Sequence, residues 1–363
     1  MMRCGAGCGT GVAAGFEANF EAGLVVGKFC PLHRGHELLI GQAAARCGSL
    51  LVISYTKPEF PGMPPALRER WLRERFPEAT VLVLDDERLA GHCRRLGLPV
   101  RTMPANAAPD AEHRAFVAWV CTALLGRTVD AVFTSESYGD GFAQALAASF
   151  GHPVRHVSVD PGRHAVPVSG TAVRADVHGR RAMLAPSVYG HFVRRACFLG
   201  GESSGKTSMA EALAAALGST WVPEFGRTWW EHRRGELAFD DLLHIGREQV
   251  AAEERLAGTA RHWLSCDTSP LTTLFYSRDL FDRADAALEA LAERRYDAVF
   301  LCAPDFPFVQ DGTRRDDAFR LRQHAWYVAQ LAARGVAYVT LAGSPARRLA
   351  LALASIEAST AQL

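Results

Sequence analysis

The sequence predicts two α/β domains, each built on a doubly wound parallel sheet. Short apolar segments alternate with helical ones, and this alternation restarts near residue 190 with a second strand, a glycine-rich turn and a helix. The chain has 363 residues, whereas single hydrophobic cores stop growing at about 250–300 residues. We therefore expect residues 23–190 and 191–363 to form separate domains, preceded by a flexible Gly/Ala-rich tail at residues 1–22.

In the first predicted domain, strands and helices follow one another in strict alternation over most of its length. The predicted strands are residues 23–28, 50–54, 80–84, 131–134 and 154–159. The predicted helices are residues 37–46, 64–75, 111–125 and 141–150. Because parallel strands need long crossover connections, this alternation indicates a parallel sheet.

The second predicted domain repeats the scheme with an Ala/Leu-rich first helix. Its predicted strands are residues 194–199, 263–267, 298–302 and 336–341, with a further short strand before Glu224, and its first helix is residues 206–217. The strand–glycine turn–helix opening is the same in both halves. A boundary between them is therefore expected near residues 185–195.

Composition excludes several classes of partner. Forty basic residues nearly cancel 39 acidic ones, so the net charge of +1 offers no broad positive field for nucleic acid. The apolar runs are too short to span a bilayer, and residues 1–22 lack the basic start and apolar centre of a signal peptide. Nine scattered cysteines are typical of reduced thiols in a cytoplasmic protein. We expect neither a nucleic-acid nor a membrane partner, and anionic substrates must be bound by local groups.

A histidine pair opens the first domain's first helix. His33 and His36 are three residues apart after a strand and a turn, so both imidazoles can face the same side of the first helical turn. Backbone N–H groups and the helix dipole favour an anion there, and Gly35 permits close approach of the backbone. The pattern predicts a triphosphate site that stabilises charge at an attacked α-phosphate. Two surface histidines beside a turn are the alternative.

A second element precedes the predicted boundary. Ser169 suits a helix N-cap, and Thr171 and Arg174 then face the same direction from the next turn. These residues are candidates for contacts to phosphate. Alone, the element is equally typical of a capped helix with a solvated arginine.

The second domain carries a complete P-loop pattern between an apolar strand and an Ala-rich helix. The glycines allow successive backbone N–H groups to turn toward phosphate oxygens. Lys206 is expected to reach the β- and γ-phosphates, and the hydroxyl of Thr207 to bind Mg²⁺. The nucleotide-binding candidates are Gly200, Gly201, Glu202, Ser203, Ser204, Gly205, Lys206, Thr207 and Ser208.

Two carboxylates follow strands of the second domain. Asp267 ends a buried strand at the edge where such sheets place ligands, and is expected to act on Mg²⁺ with Thr207. Glu224 is a candidate to accept a proton from a ribose hydroxyl or to orient it. A helix N-cap is the alternative for Asp267 and a surface turn for Glu224. Residues 310–315 resemble a lid whose arginines close over phosphate, with a solvated turn as the alternative.

The longer strings around these residues resemble the bifunctional NadR-type family. In the first domain they are GKFCPLHRGH at 27–36, VFTSESYG at 132–139, VSGTAVR at 168–174 and an R-x-x-W-L string at Arg68, Trp71 and Leu72. The resemblance implies a Rossmann-like nucleotidyltransferase that transfers adenylate from ATP to nicotinamide mononucleotide (NMN), giving NAD. It assigns phosphate contacts to Lys28, His33, His36, Ser169, Thr171 and Arg174, with Gly27 and Phe29 beside them. Cys30 departs from the larger or aromatic residue common in the family.

The second half resembles the P-loop ribosylnicotinamide kinase of the same family. GGESSGKT at 200–207, EFGR at 224–227, CDT at 266–268 and DGTR at 311–314 occur in the family's order. The implied reaction is ATP-dependent phosphorylation of nicotinamide riboside, with Mg²⁺ held by Thr207 and Asp267. Asp305 is implied to line the riboside pocket, and Asp311, Arg314 and Arg315 to belong to the lid. Phe308 stands where tryptophan is common.

Three other functions remain compatible with these residues. One is a P-loop ATPase or GTPase switch fused to a nucleotidyltransferase, another is a regulatory protein that only senses nucleotides, and a third has a pantetheine or flavin mononucleotide acceptor. The helix-turn-helix repressor domain of some family members is not expected, because residues 1–22 cannot form two packed helices. A homo-oligomer is compatible with the sequence.

Overall fold

The computed structural model describes residues 20–307 and 315–361, and the chain divides into two compact units between Asp176 and Val177. The predicted boundary after residue 190 therefore lies inside the second unit. Packing explains the shift. A Cβ added to Gly190 would stand 3.0 Å from the amide nitrogen of Gly258, and one added to Gly258 would stand 2.8 Å from Pro186. The short segment before the predicted boundary thus belongs with the second unit.

From residue 20 onward, the first unit alternates five strands with six α-helices, and several helical ends follow from local chemistry. The sequence analysis did not predict the helix at residues 86–96, although Asp85 caps it by accepting the N–H of Arg88 at 2.7 Å and Gly97 ends it with a φ of 68°. The predicted helix at 111–125 continues its last turn as a π-helix, Val120–Leu124. The elements are β1 (Phe20–Gly27), α1 (Arg34–Ala44), β2 (Cys47–Tyr55), α2 (Pro65–Arg75), β3 (Thr80–Leu84), α3 (Asp86–Leu96), α4 (Asp110–Trp119), β4 (Ala131–Thr134), α5 (Gly139–Phe150), β5 (Arg155–Ser158) and α6 (Gly170–Ala175).

The first sheet is parallel throughout and has the order β3-β2-β1-β4-β5. β1 begins at Phe20 rather than at residue 23, because Phe20 pairs with Cys47 and its ring packs edge-on against Phe133 at 5.9 Å. After β1, the chain adds β2 and β3 on one side of the sheet, and then β4 and β5 on the other. Right-handed crossovers in both directions place helices on both faces, so a crevice opens where the order reverses, beside β1 and β4.

The second unit has five strands and eight α-helices in the part that the structure describes. The elements are α7 (Pro186–Tyr189), β6 (Arg194–Leu199), α8 (Lys206–Ala216), β7 (Trp221–Val222), α9 (Phe225–His232), α10 (Phe239–Ala257), β8 (Trp263–Asp267), α11 (Pro270–Phe281), α12 (Ala286–Ala292), β9 (Ala298–Cys302), α13 (Asp317–Ala333), β10 (Val339–Leu341) and α14 (Pro345–Ala361).

The second sheet is also parallel, with the order β10-β9-β6-β8-β7. Aromatic and aliphatic side chains fill both of its faces. The rings of Phe198 and Phe300 pack at a tilt, with centroids 5.1 Å apart, on the side covered by α8 and α14, and Leu199 and Tyr327 lie on the other side. The strand order reverses at β6, so the turns that follow β6 and β8 lie at the edge where ligands bind. Across residues 20–307 and 315–361, no helix has the length and apolar content needed to cross a bilayer.

Candidate functional site: two phosphate-binding crevices

In the first unit, a cavity of about 510 Å³ lies at the carboxyl ends of β1 and β4. Its lining contains the residues that the two sequence motifs contribute from opposite ends of the unit. These are Gly27, Lys28, Phe29, His33, His36, Ser169, Thr171 and Arg174. The structure therefore brings both halves of the predicted phosphate site together.

His33 and His36 form a reciprocal cap on α1. The Nδ1 atom of His33 accepts the backbone N–H of His36 at 3.3 Å, and the Nδ1 atom of His36 accepts that of His33 at 3.4 Å. The rings stack with centroids 3.6 Å apart. Because each Nδ1 is an acceptor, each ring carries its hydrogen on Nε2. Both histidines therefore present N–H donors beyond the helix start.

Both imidazoles are neutral near physiological pH. Burial lowers the pKa of His33 to about 4, and the charges of Arg163 and Arg174 act in the same direction. Burial likewise places the pKa of His36 well below its ordinary value, with His33 and Arg163 contributing. The pair can donate hydrogen bonds to an anion but brings no positive charge of its own. That charge must come from neighbouring lysine and arginine side chains.

Arg174 joins the second motif to the first. Its Nη1 donates to the carbonyl of Cys30 at 2.6 Å, and its Nη2 donates to Thr171 at 3.1 Å. Ser169 caps α6 by accepting the N–H of Ala172 at 3.2 Å, as predicted from the sequence. A Cβ on Gly170 would lie 3.9 Å from Nε2 of His33. The start of α6 thus lies against the histidine pair.

The turn between β1 and α1 has a backbone shape that only particular residues permit. Phe29 has a φ of 50°, and a Cβ on Gly27 would stand 2.9 Å from the Phe29 ring. Arg68 lies wholly buried behind this turn, where it pairs with Glu59 at 3.0 Å and donates to the carbonyl of Lys28 at 3.4 Å. Arg68 therefore supports the turn from behind and does not line the cavity.

Cys30 fits the same arrangement. Its thiol donates to the carbonyl of Lys28 at 3.1 Å and accepts from Nη1 of Arg68 at 3.6 Å. Burial raises the pKa of this thiol, so it stays protonated. Cys30 thus lies as a protonated thiol between the Lys28 carbonyl and the Arg68 guanidinium.

Several cavity residues were missed by the sequence analysis. Tyr55, at the end of β2, meets His113 with a hydroxyl-to-Nδ1 distance of 2.9 Å, and Asn106, Arg114 and Arg163 also line the cavity. Only Tyr55 carried a usable sequence pattern, since it ends a buried strand at the ligand edge. The others lie on helix surfaces or loops without a motif.

In the second unit, the P-loop has the predicted form. Gly200 has a φ of 144°, and a Cβ there would stand 2.6 Å from Oγ of Ser204 and 2.7 Å from the carbonyl of Cys302. Gly205 starts α8 with a φ of 85°. Nζ of Lys206 donates to the carbonyl of Gly201 at 3.1 Å. The loop thus lies against the first turn of α8, and the Lys206 side chain lies along the loop. Ser208, in that first turn, is exposed.

Thr207 and Asp267 meet although they lie 60 residues apart in sequence. The Thr207 hydroxyl donates to Oδ2 of Asp267 at 2.6 Å, and Oδ1 of Asp267 is buried without a hydrogen-bond partner among the described residues. Burial raises the pKa of Asp267 to about 6, with the nearby charge of Glu224 adding to the shift. A hydroxyl and a carboxylate oxygen without a partner are ligands that Mg²⁺ accepts, so these residues fit the ion.

Glu224 lies at the start of α9, close enough to Asp267 to affect its pKa. The corner after it is held by Gln249 of α10, whose Oε1 accepts the N–H of Phe225 at 2.9 Å. Gln249 is buried, with no described partner for its amide nitrogen. Sequence analysis missed it because a glutamine within a helix gives no distinguishing pattern.

Glu202 connects the P-loop to two helices. It accepts the Tyr276 hydroxyl at 2.8 Å and the backbone N–H of Arg315 at 2.9 Å. The Arg315 side chain pairs with Asp279 at 2.6 Å. The predicted lid residues Asp311 and Arg314, together with Phe308, lie outside the described residues.

Asp305 is engaged in packing contacts at the P-loop. Its Oδ2 accepts the N–H of Gly343 at 2.6 Å, and its Oδ1 pairs with Arg348 of α14. Arg348 is wholly buried and also donates to the carbonyls of Ser204 and Ala303 at 2.8 and 2.9 Å. These contacts support a positioning role for Asp305, because Asp305 holds Arg348 and Arg348 in turn contacts the P-loop at Ser204. They do not place its carboxylate against a substrate.

Comparisons with known proteins find similarity to this chain in sequence and in fold. The AAA domain family model matches residues 195–348. The Trifunctional NAD biosynthesis/regulator proteins NadR of Escherichia coli K12 and Salmonella typhimurium LT2 are 26% and 27% identical to this chain, over 80% of its length and 71% of theirs. Solved structures of NadR protein, with NR and with NAD and AMP-PNP, give TM-scores of 0.62 and 0.61 at 20% identity. They cover 94% of this chain and 96% of theirs. The chain is thus similar to the NadR proteins in sequence over 80% of its length, and in fold over 94% of it.

Proposed function

We propose that this chain is a bifunctional enzyme of NAD biosynthesis. The second unit phosphorylates nicotinamide riboside with ATP to give NMN, and the first unit transfers adenylate from a second ATP to NMN, releasing NAD and pyrophosphate. The supporting observation is that each unit has its own set of candidate phosphate-binding residues at the switch point of its own sheet. The NAD-biosynthetic role named for the relatives agrees with this pairing.

In the second unit, the P-loop backbone and Lys206 bind the ATP phosphates. Thr207 and Asp267 would hold Mg²⁺, which would supply positive charge to the ATP phosphates. Glu224 takes the proton of the riboside hydroxyl as that oxygen attacks the γ-phosphorus, and the bond to the β-phosphate oxygen breaks. Arg348 and Asp305 keep the loop in shape from behind.

In the first unit, an oxygen of the NMN phosphate attacks the α-phosphorus of ATP and pyrophosphate leaves. The Nε2–H groups of His33 and His36 donate to the phosphate oxygens as charge develops, and Lys28 and Arg174 supply positive charge. Since both imidazoles are neutral donors, neither needs to transfer a proton. Catalysis then depends on positioning and charge stabilisation, without a covalent enzyme intermediate.

Incubating the purified chain with ATP, Mg²⁺ and nicotinamide riboside, followed by mass analysis, tests both steps. We expect NMN to form and then NAD. ATP hydrolysis without NMN would favour a P-loop switch, and binding without turnover would favour a sensor. NMN that accumulates without NAD, with adenylylation of pantetheine phosphate or flavin mononucleotide instead, would assign another acceptor to the first unit.

A further inference from the structure

Arg163 is a cation at the first unit's cavity that no sequence motif includes. It lies on the loop after β5 and lines the same cavity as His33, His36 and Arg174. Its charge affects both histidines, because Arg163 lowers the pKa of each in addition to the effect of burial. A guanidinium held beside two neutral N–H donors and a second arginine forms a set that suits a polyanion.

The loop that carries Arg163 is built on one carboxylate. Asp160 accepts the backbone N–H groups of His164 at 2.8 Å, Ala165 at 3.1 Å and Val166 at 3.2 Å. The N–H of Arg163 itself donates to the carbonyl of Asp160 at 2.9 Å. These bonds, that of Ala165 most strongly, keep the pKa of Asp160 below its usual range. The backbone of residues 163–166 is therefore held by hydrogen bonds to Asp160.

The backbone of this loop is strained at the two positions that matter. Asp160 has a φ of 47° and Arg163 a φ of 53°, both in the left-handed region that is unfavourable for most side chains. Such conformations persist only when surrounding contacts enforce them, and they concentrate at binding sites. Arg163 therefore has a backbone conformation that its surroundings enforce, at a position where its side chain lines the cavity.

The Arg163 side chain has an exposed ion-pair partner. Its Nη2 lies 2.9 Å from Oε1 of Glu136, and the two side chains are 44% and 51% exposed. Ion pairs this exposed contribute about 0–1 kcal/mol. A phosphate chain can therefore displace Glu136 from Arg163 at little cost.

We propose that Arg163 binds the pyrophosphate portion of the nucleotide triphosphate in the first unit, and that Asp160 is the positioning residue that holds it there. This inference rests on the adenylyl transfer proposed above and names a further binding residue for it. In the forward direction Arg163 stabilises the leaving pyrophosphate. In the reverse direction it binds pyrophosphate as a substrate.

The reverse reaction isolates this contact, because only the first unit is expected to use NAD and pyrophosphate. An oxygen of pyrophosphate attacks the adenylate phosphorus of NAD, the bond to the NMN phosphate oxygen breaks, and ATP and NMN form. In Arg163→Met, the KM for pyrophosphate should rise about tenfold or more, the size expected for a lost charged hydrogen bond. The KM for NAD should change far less.

Three further variants separate binding from loop structure. Asp160→Asn should raise the KM for pyrophosphate in the same direction but less, since an amide can accept only part of the three N–H bonds. Glu136→Gln should leave that KM unchanged or lower it, because it removes the competitor for Arg163. Arg70→Met, which removes an arginine from an exposed pair with Glu74, is the matched control and should have no effect.

The outcomes are distinct. An unaltered KM for pyrophosphate in Arg163→Met, with ATP still formed, would overturn the role of Arg163 alone. An equal rise of the KM in Glu136→Gln would show that the ion pair merely supports the loop, and would also overturn it. If the unsubstituted enzyme formed no ATP from NAD and pyrophosphate, the proposed adenylyl transfer would fail, and this role with it.

Discussion

Replacing Asp267 with asparagine is expected to stabilise the second unit while disabling phosphoryl transfer. The Asp267 carboxylate is 1% exposed, and burial with the nearby charge of Glu224 raises its pKa to about 6 from an ordinary 3.8. The folded state thus binds the proton more tightly than the unfolded state. The free energy of unfolding therefore falls as pH rises from about 4 to about 6, and stays at the lower value above that.

The magnitude follows from this difference in pKa. About two pKa units correspond to ~3 kcal/mol at 1.36 kcal/mol per unit. Asparagine keeps the shape and can still bond Thr207, but it carries no charge to desolvate. Asp267→Asn should therefore be more stable than the unsubstituted protein by about 3 kcal/mol at pH ~7.5, and the difference should vanish below about pH 4.

The assay is urea unfolding in the presence of EDTA at several pH values, with tryptophan fluorescence as the signal that reports unfolding. Five of the seven tryptophans report on the second unit: Trp221, Trp229, Trp230, Trp263 and Trp326. The matched control is Asp282→Asn, at an exposed left-handed position after α11 where asparagine is well tolerated. It should change stability by less than about 0.5 kcal/mol at any pH.

Kinase turnover is measured on the same proteins. Because the variant removes the charge of the carboxylate that we propose as a Mg²⁺ ligand, its kcat should fall by about 100-fold or more. An asparagine variant that is less stable at neutral pH, or whose stability difference does not depend on pH, would refute the electrostatic reasoning. Unchanged turnover would remove Asp267 from the magnesium site.

Three other predictions address the remaining groups. His36→Ala should abolish NAD formation from NMN and leave riboside phosphorylation near its original rate, whereas Lys206→Ala should do the reverse. Loss of both activities in either folded variant would contradict two independent sites. Arg348→Met should lower the free energy of unfolding by about 3–5 kcal/mol and raise the KM for ATP in the kinase step, with exposed Arg347→Met as control. Because the pKa of His33 is about 4, protonation of this residue should not lower the rate of adenylyl transfer between about pH 5.5 and 8. A loss of rate below about pH 6.5 that disappears in His33→Asn would disprove this.

Much of the fold could be predicted because its patterns are local. Five predicted strands have the observed bounds, namely β3, β4, β6, β8 and β9, since short apolar runs between turn residues are typical of buried strands. α3 was missed because its six charged or polar positions obscure its apolar stripe, and only Leu89 and Cys93 are buried on it. The start of β1 was misplaced because Phe20 is held by a distant partner, Phe133.

The sequence by itself determined the two strand–turn–helix units and the motif residues at their candidate phosphate sites. A glycine with positive φ, an N-cap and a P-loop depend on neighbours only a few residues away, so local order is enough to specify them.

Only the tertiary structure decided which of these residues meet and what supports them. Arg174 reaches the carbonyl of Cys30 across 144 residues, and Thr207 reaches Asp267 across 60. Arg68 and Arg348 are buried where their surroundings in sequence indicate exposed helix faces, and Arg163 depends on a loop closed by Asp160. These roles arise from burial and from contacts between distant elements. Such contacts leave no periodic pattern along the chain, because they depend on how the helices and loops pack around the two sheets.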